Sequence, residues 1–149
     1  MLRLSKKADY ALIAMKHLAV RADRGSSSAR EIAGLYGIPI ELMAKVLQRL
    51  VRGGLLLSQQ GTHGGYQLAR PPVQISVADV IQAIEGPVTV TACSTVEGQC
   101  EQFSKCNVRD PLLKVRERIL TALGECTIAE LASEPMPFPA RAAVLHTHL

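Results

Sequence analysis

The chain opens on a helical rhythm. Ala8, Ala11, Leu12, Met15, Leu18 and Ala19 recur at three- and four-residue steps over about residues 5–24, the spacing that keeps apolar side chains on one helix face. Ser5 stands where an N-cap belongs, and Asp9 lies in the first turns, where a carboxylate suits the helix dipole. Gly25-Ser26-Ser27 supplies turn chemistry at the far end. Ser28-Ala29-Arg30-Glu31 reads as a capping box. It opens a short helix through Ile32, Ala33, Leu35 and Tyr36, which Gly37 closes. Pro39 suits the first turn of a third helix reaching about residue 52. Met43, Val46, Leu47 and Leu50 form its inward stripe, and Glu41, Lys45, Gln48, Arg49 and Arg52 fall mostly on other faces.

After Gly53-Gly54 the period shortens. Residues 55–59 and 66–69 read as two strands around the turn Gly61-Thr62-His63-Gly64-Gly65. Two helices joined by a tight glycine-containing turn, the second polar and basic outside, followed by a hairpin, describe a winged helix-turn-helix. The expected fold is mainly α with a small β-wing. The helix over 39–52 is expected in the major groove of double-stranded DNA, with Lys45, Gln48 and Arg49 the first candidates for contact there. Tyr10, Arg30 and Arg70 are candidate backbone contacts. His63 sits at the wing tip, and Gly64 and Gly65 permit close approach to a phosphate backbone.

Ser76-Val77-Ala78-Asp79 caps a further helix, with Val77, Val80, Ile81 and Ile84 inward and Gly86-Pro87 at its end. Asp110 at N-cap and Pro111 at N1 predict a long helix. Its seam of Leu112, Val115, Ile119, Ala122 and Leu123 exceeds what one small winged domain must cover, and it reads as a dimerisation helix packing on its twin. Thr127-Ile128-Ala129-Glu130 is another capping box. Pro135, Pro137 and Pro139 mark a tail without a clear period. The organisation is thus a winged domain over 1–85, a cysteine segment over 86–107, dimerisation and final helices over 108–133, and a tail over 134–149.

Charge sharpens this picture. Residues 1–75 hold eleven Lys/Arg against four Asp/Glu, and residues 76–149 hold six against nine. A basic N-terminal half suits a polyanion. No apolar run reaches the roughly 18 residues of a spanning helix. The basic start lacks an apolar core or a cleavage signal, so no membrane association and a cytoplasmic location are expected. In that reducing compartment, cysteines point to metal or redox roles rather than disulfides.

Three of the four cysteines, Cys93, Cys100 and Cys106, lie in the aperiodic 86–107 segment, separated by six and five residues. Structural zinc favours closely paired ligands such as C-x-x-C, which are absent. Wider spacing suits an iron–sulfur cluster better. Zinc and a bare thiol switch stay open. A fourth ligand would come from Cys126, Asp9, a histidine or a small molecule. No Ser/His/Asp set, P-loop or dinucleotide fingerprint is present, so catalysis is not expected.

Taken together, several stretches carry a resemblance to a known family. They are Leu4-Ser5-Lys6 with Asp9-Tyr10-Ala11, residues 38–50, Gly64-Gly65-Tyr66, Ile75-Ser76-Val77 through Glu85-Gly86-Pro87, and the cysteine trio. Over about residues 1–133 the chain resembles the Rrf-type winged-helix regulators, the group that includes IscR, NsrR and RirA. Its opening residues and wing most resemble the subgroup regulating the Suf iron–sulfur assembly operon. The resemblance implies a homodimeric transcriptional regulator, sensing iron–sulfur or redox status and acting as a repressor. It makes Cys93, Cys100 and Cys106 ligands of an iron–sulfur cluster, 4Fe–4S or 2Fe–2S. IscR-like members have a histidine where Arg109 stands. NsrR-like, nitric-oxide-responsive members use an aspartate from the other subunit, and Asp9 occupies the matching position.

Overall fold

A computed structural model describes residues 3–88, 101–102 and 104–133. Cys93, Cys100 and the 134–149 tail lie outside the described residues.

Helix α1 (Lys6–Val20) begins where Ser5 Oγ accepts from the Ala8 amide at 3.2 Å. It gives way to a single 3₁₀ turn over Ala22–Arg24, so the α-helix stops short of the expected boundary. Helix α2 (Ala29–Tyr36) is capped by Ser28 Oγ, which accepts from the Glu31 amide, and Gly37 closes it at φ +66°. Helix α3 (Ile40–Arg52) follows Pro39 and buries Met43, Val46, Leu47 and Leu50, the inward stripe of its sequence. Strands β1 (Leu56–Gln59) and β2 (Gly65–Leu68) form an antiparallel wing with Leu56 opposite Leu68 and Gln59 opposite Gly65.

A 3₁₀ turn over Pro72–Gln74 leads to α4 (Val77–Glu85). Its capping box is complete: Ser76 Oγ accepts from the Asp79 amide, and Asp79 Oδ2 accepts from the Ser76 amide. Helix α5 (Arg109–Glu125) starts earlier than Asp110-Pro111 predicted. Val108 occupies the N-cap without a side-chain bond, and Asp110 instead accepts from Arg109 Nε at 3.3 Å. Pro111 is tolerated there because the first turn's amides lack helical acceptors anyway. Helix α6 (Ile128–Ser133) is capped by Thr127, whose Oγ1 accepts from the Glu130 amide.

The architecture is mainly helical with a two-stranded wing. One core joins Met15 and Leu18 of α1, Ile32 of α2, the α3 stripe, Leu55, Leu56 and Val80. Ile128 of α6 belongs to the same core. The Ile128 amide donates to the Ile75 carbonyl and the Val77 amide to the Cys126 carbonyl, both at 2.8 Å. The chain after the cysteine segment thus returns to the winged domain. Helix α5 differs: it has no buried residue.

Two of the wing's three glycines have a structural cause. A Cβ on Gly64 would lie 2.5 Å from the Gln59 carbonyl oxygen. One on Gly65, at φ +150°, would lie 2.5 Å from that of Ser27. Ser27 pairs with Tyr66 through two backbone bonds of 2.7 and 3.0 Å, adding a third edge to the wing root. Side chains are excluded at both positions by the protein's own backbone. The expected approach to phosphate is not needed to explain either residue.

Beside this junction sits a polar cluster that the sequence did not announce, with His17 and Ser27 buried and Tyr36 at its exposed edge. His17 Nδ1 is 3.0 Å from the Tyr36 hydroxyl, and its Nε2 is 3.4 Å from Ser27 Oγ. Burial first, and Arg21 second, hold the His17 pKa below the ordinary 6.5, against an opposing pull from Glu31. The folded state therefore binds this proton less readily than the unfolded chain. His17's contribution to stability is present above 6.5 and is lost as pH falls through the depressed folded value. Thermal melts should show Tm falling as pH drops below the ordinary 6.5, with a flatter profile for His17→Gln. Identical slopes would remove His17 from the account.

Candidate nucleic-acid interface and cysteine segment

The outer face of α3 is set by its inner one. With Met43, Val46, Leu47 and Leu50 buried, Lys45 and Gln48 are exposed on the opposite side. A crevice of about 140 Å³ runs along this face, lined by Lys7 of α1 and by Lys45, Gln48, Arg49 and Arg52. Lys7 carries no sequence signal of its proximity to α3: it is the second residue of α1, in the helix's first turn.

The other expected contacts are placed more variously. Arg30 is exposed in the first turn of α2. Tyr10 is half-buried and packs against the core. His63 is exposed at the wing tip, where its carbonyl accepts from Ser26 Oγ at 2.9 Å. Arg70 is exposed and stands 4.0 Å from the Asp79 carboxylate. Such an exposed pair contributes little to stability, so Arg70 is held only loosely.

Arg49 is exposed beside Lys45 and Gln48 and also makes a contact within the protein. Its Nη1 donates to the Ile84 carbonyl of α4 at 2.7 Å, so the guanidinium reaches across to the neighbouring helix.

Just beyond Ile84 the cysteine segment begins. Arg116 Nε of α5 donates to the Val88 carbonyl at 3.0 Å, and the Ser5 amide donates to Glu85 Oε1 at 3.1 Å. A second crevice, about 330 Å³, opens between these elements, with Leu4, Ile81, Pro87, Ile119 and Leu123 in its wall. At the far end of the segment Cys106 is a free, half-buried thiol three residues before α5. Asp9 is exposed on α1. Arg109 engages Asp110. Cys126 is also free, but burial first and then Glu130 push its thiol pKa up. No cluster of three or more metal-binding side chains occurs among the described residues, which include neither Cys93 nor Cys100. Nor, among them, is any helix long and apolar enough to cross a membrane.

Comparison with known proteins agrees with this geometry. Residues 4–134 match a family described as Rrf2, iron-dependent transcriptional regulator. The HTH-type transcriptional regulator IscR of Xenorhabdus nematophila is 33% identical over 130 residues, spanning 87% of this chain and 79% of that protein. The solved structure of CymR, the global cysteine regulator of B. subtilis, superposes with a TM-score of 0.75 at 28% identity. The match covers 91% of this chain and all of that one. IscR of T. potens gives 0.68 at 27% identity, covering 91% and 94% respectively.

Proposed function

Since the chain belongs to the Rrf2 family of transcriptional regulators, we propose that it is a homodimeric, cytoplasmic repressor whose DNA binding answers to an iron–sulfur cluster held by Cys93, Cys100 and Cys106. The observation carrying this reading is the linkage of parts. The exposed Lys45 and Gln48 face belongs to a helix bonded, through Arg49, to the turn from which the cysteine segment departs. The target that fits the resemblance is the Suf iron–sulfur assembly operon.

The donor set suits the cofactor. Three thiolates are the soft ligands that iron–sulfur clusters take, and Cys106 is free to serve. Asp9, exposed at the start of α1, is a fourth ligand available to a partner subunit. Arg109, cationic and paired with Asp110, is not. Once bound, the cluster supplies a site that oxygen, nitric oxide or iron shortage degrades. Arg116 holds the start of the segment at Val88, and Cys106 stands at its far end, three residues before α5.

On DNA, two copies of α3 would read half-sites about one helical turn apart. Lys45 and Gln48 face the groove. Arg30, Arg70, Tyr10 and the His63 wing tip flank it. Fluorescence anisotropy on an operator duplex tests this. Lys45→Ala should lower the salt slope by about one, and Gln48→Ala should cost about 1–3 kcal/mol of preference at one base pair. Wild-type affinity and slope in both variants would remove α3 from the groove.

A thiol switch without metal has separate support. The S. aureus CymR structures, one of an oxidized form, share this fold at TM-scores of 0.70 and 0.68, and Cys106 is a free thiol. Iron and acid-labile sulfide in anaerobically purified protein separate the two readings.

A further inference from the structure

The last turn of α4 is where the recognition helix, the N-terminus of α1 and the long helix α5 converge. The final carbonyls of a helix lack intrahelical donors. The Gln82 carbonyl finds one in the Gly86 amide at 2.9 Å, with Gly86 at φ +79°. The Ile84 carbonyl finds one in Arg49, from the last turn of α3. A guanidinium at a helix C-terminus also meets the negative end of the dipole, and a bond to a charged donor is stronger and more directional than a neutral one. The two helices are in close contact beside it: a Cβ on Gly53, which follows α3, would lie 3.0 Å from the Ala83 Cβ.

Two residues after Ile84 the cysteine segment starts. Its first turn is tied to α5 by Arg116 at Val88, and α5 is the helix into which Cys106 leads. The Glu85 carboxylate meanwhile holds the Ser5 amide. Any rearrangement of the segment therefore reaches Ile84 through one short stretch of backbone, and Ile84 is bonded to α3.

We infer that Arg49 is a positioning residue that couples the cysteine segment to the recognition helix, setting the seat of α3 on DNA through the Ile84 carbonyl rather than by touching the nucleic acid. This rests on the DNA-binding reading above. A residue on DNA phosphate or base and a residue braced on α4 differ in what their removal does. Loss of a phosphate contact weakens binding uniformly and makes the salt slope shallower by about one. Loss of the brace lowers affinity without changing the number of phosphates neutralised, and it disconnects α3 from the segment.

The experiment measures operator affinity by anisotropy across a salt titration for wild type, Arg49→Ala, Arg49→Lys and Lys45→Ala. Each is taken as chelator-stripped protein and after reconstitution with iron and sulfide. For Arg49→Ala we expect stripped-form affinity to fall roughly tenfold with the wild-type salt slope retained. We also expect its ratio between the two forms to fall to about one, where wild type keeps a ratio of roughly ten or more. Arg49→Lys, which keeps a cationic donor, should recover part of that ratio, and it serves should the alanine variant fold poorly. Lys45→Ala should do the opposite, with a shallower slope and the wild-type ratio. A slope shallower by about one in Arg49→Ala, or an undiminished ratio, overturns the inference. So does a wild-type ratio of about one, because no coupling would then exist to transmit. Wild-type protein that fails to bind operator at any salt would instead bring down the DNA-binding reading itself.

Discussion

Placing glutamates at Leu112 and Val115 should convert the protein to monomers and lower operator affinity by about 10²–10⁴-fold, the loss expected when two linked sites become independent. Helix α5 has no buried residue over its full length, and Val108, Leu113 and Val115 are 52%, 37% and 41% exposed. Ile119 and Leu123 already line the crevice against α4. In the proposed dimer the remaining apolar positions are those left for a twin helix, where a carboxylate would be buried against apolar surface without a partner. Sedimentation equilibrium and anisotropy on one preparation check both halves of the expectation. A double variant that stays dimeric, or a monomer that binds operator as tightly as wild type, contradicts it.

The second large effect belongs to the sulfurs. Changing Cys93, Cys100 and Cys106 together to serine exchanges soft thiolate donors for hydroxyls, which do not ionise near neutral pH and do not suit iron–sulfur chemistry. Visible absorbance and acid-labile sulfide should both vanish. Operator affinity should settle at one value, whatever the iron supply or oxygen exposure. Cys126→Ser should keep the cofactor and the response. Burial and Glu130 push the Cys126 thiol pKa up, and the residue's structural part is its carbonyl bond to the Val77 amide. A triple variant that still changes affinity with iron supply would move sensing away from this segment.

What the sequence made legible was local. Ser5, Ser28, Ser76 and Thr127 all cap the helices they precede, because a cap needs only a hydroxyl and an amide three residues on. The α3 stripe was equally readable, and with it the exposed Lys45 and Gln48 face. The wing followed from alternation around a glycine turn.

What stayed hidden depended on residues distant in sequence. Arg49 looks like any basic residue on a recognition helix until its carbonyl partner, 35 positions away, is in place. Gly64-Gly65 reads as a pliable tip, yet Gly65 is fixed by backbone at Ser27 that no periodicity connects to it. His17 lies on a helix face otherwise lined by Ala14, Met15 and Leu18, and nothing local shows that Tyr36 and Ser27 will meet its two nitrogens. Asp110-Pro111 was a misleading local signal: the proline is compatible with either of two starts, and the chain uses the earlier one. Of the proposed ligands, Cys106 and Asp9 are placed, while Cys93 and Cys100 fall outside the described residues.

The most direct test follows one anaerobic preparation of wild-type protein through oxygen exposure, recording visible absorbance, acid-labile sulfide and operator affinity at fixed salt. The account predicts coloured, sulfide-containing protein whose absorbance bleaches in step with a change in operator affinity of roughly tenfold or more. Colourless protein without sulfide, holding the same operator affinity before and after oxygen, would contradict it.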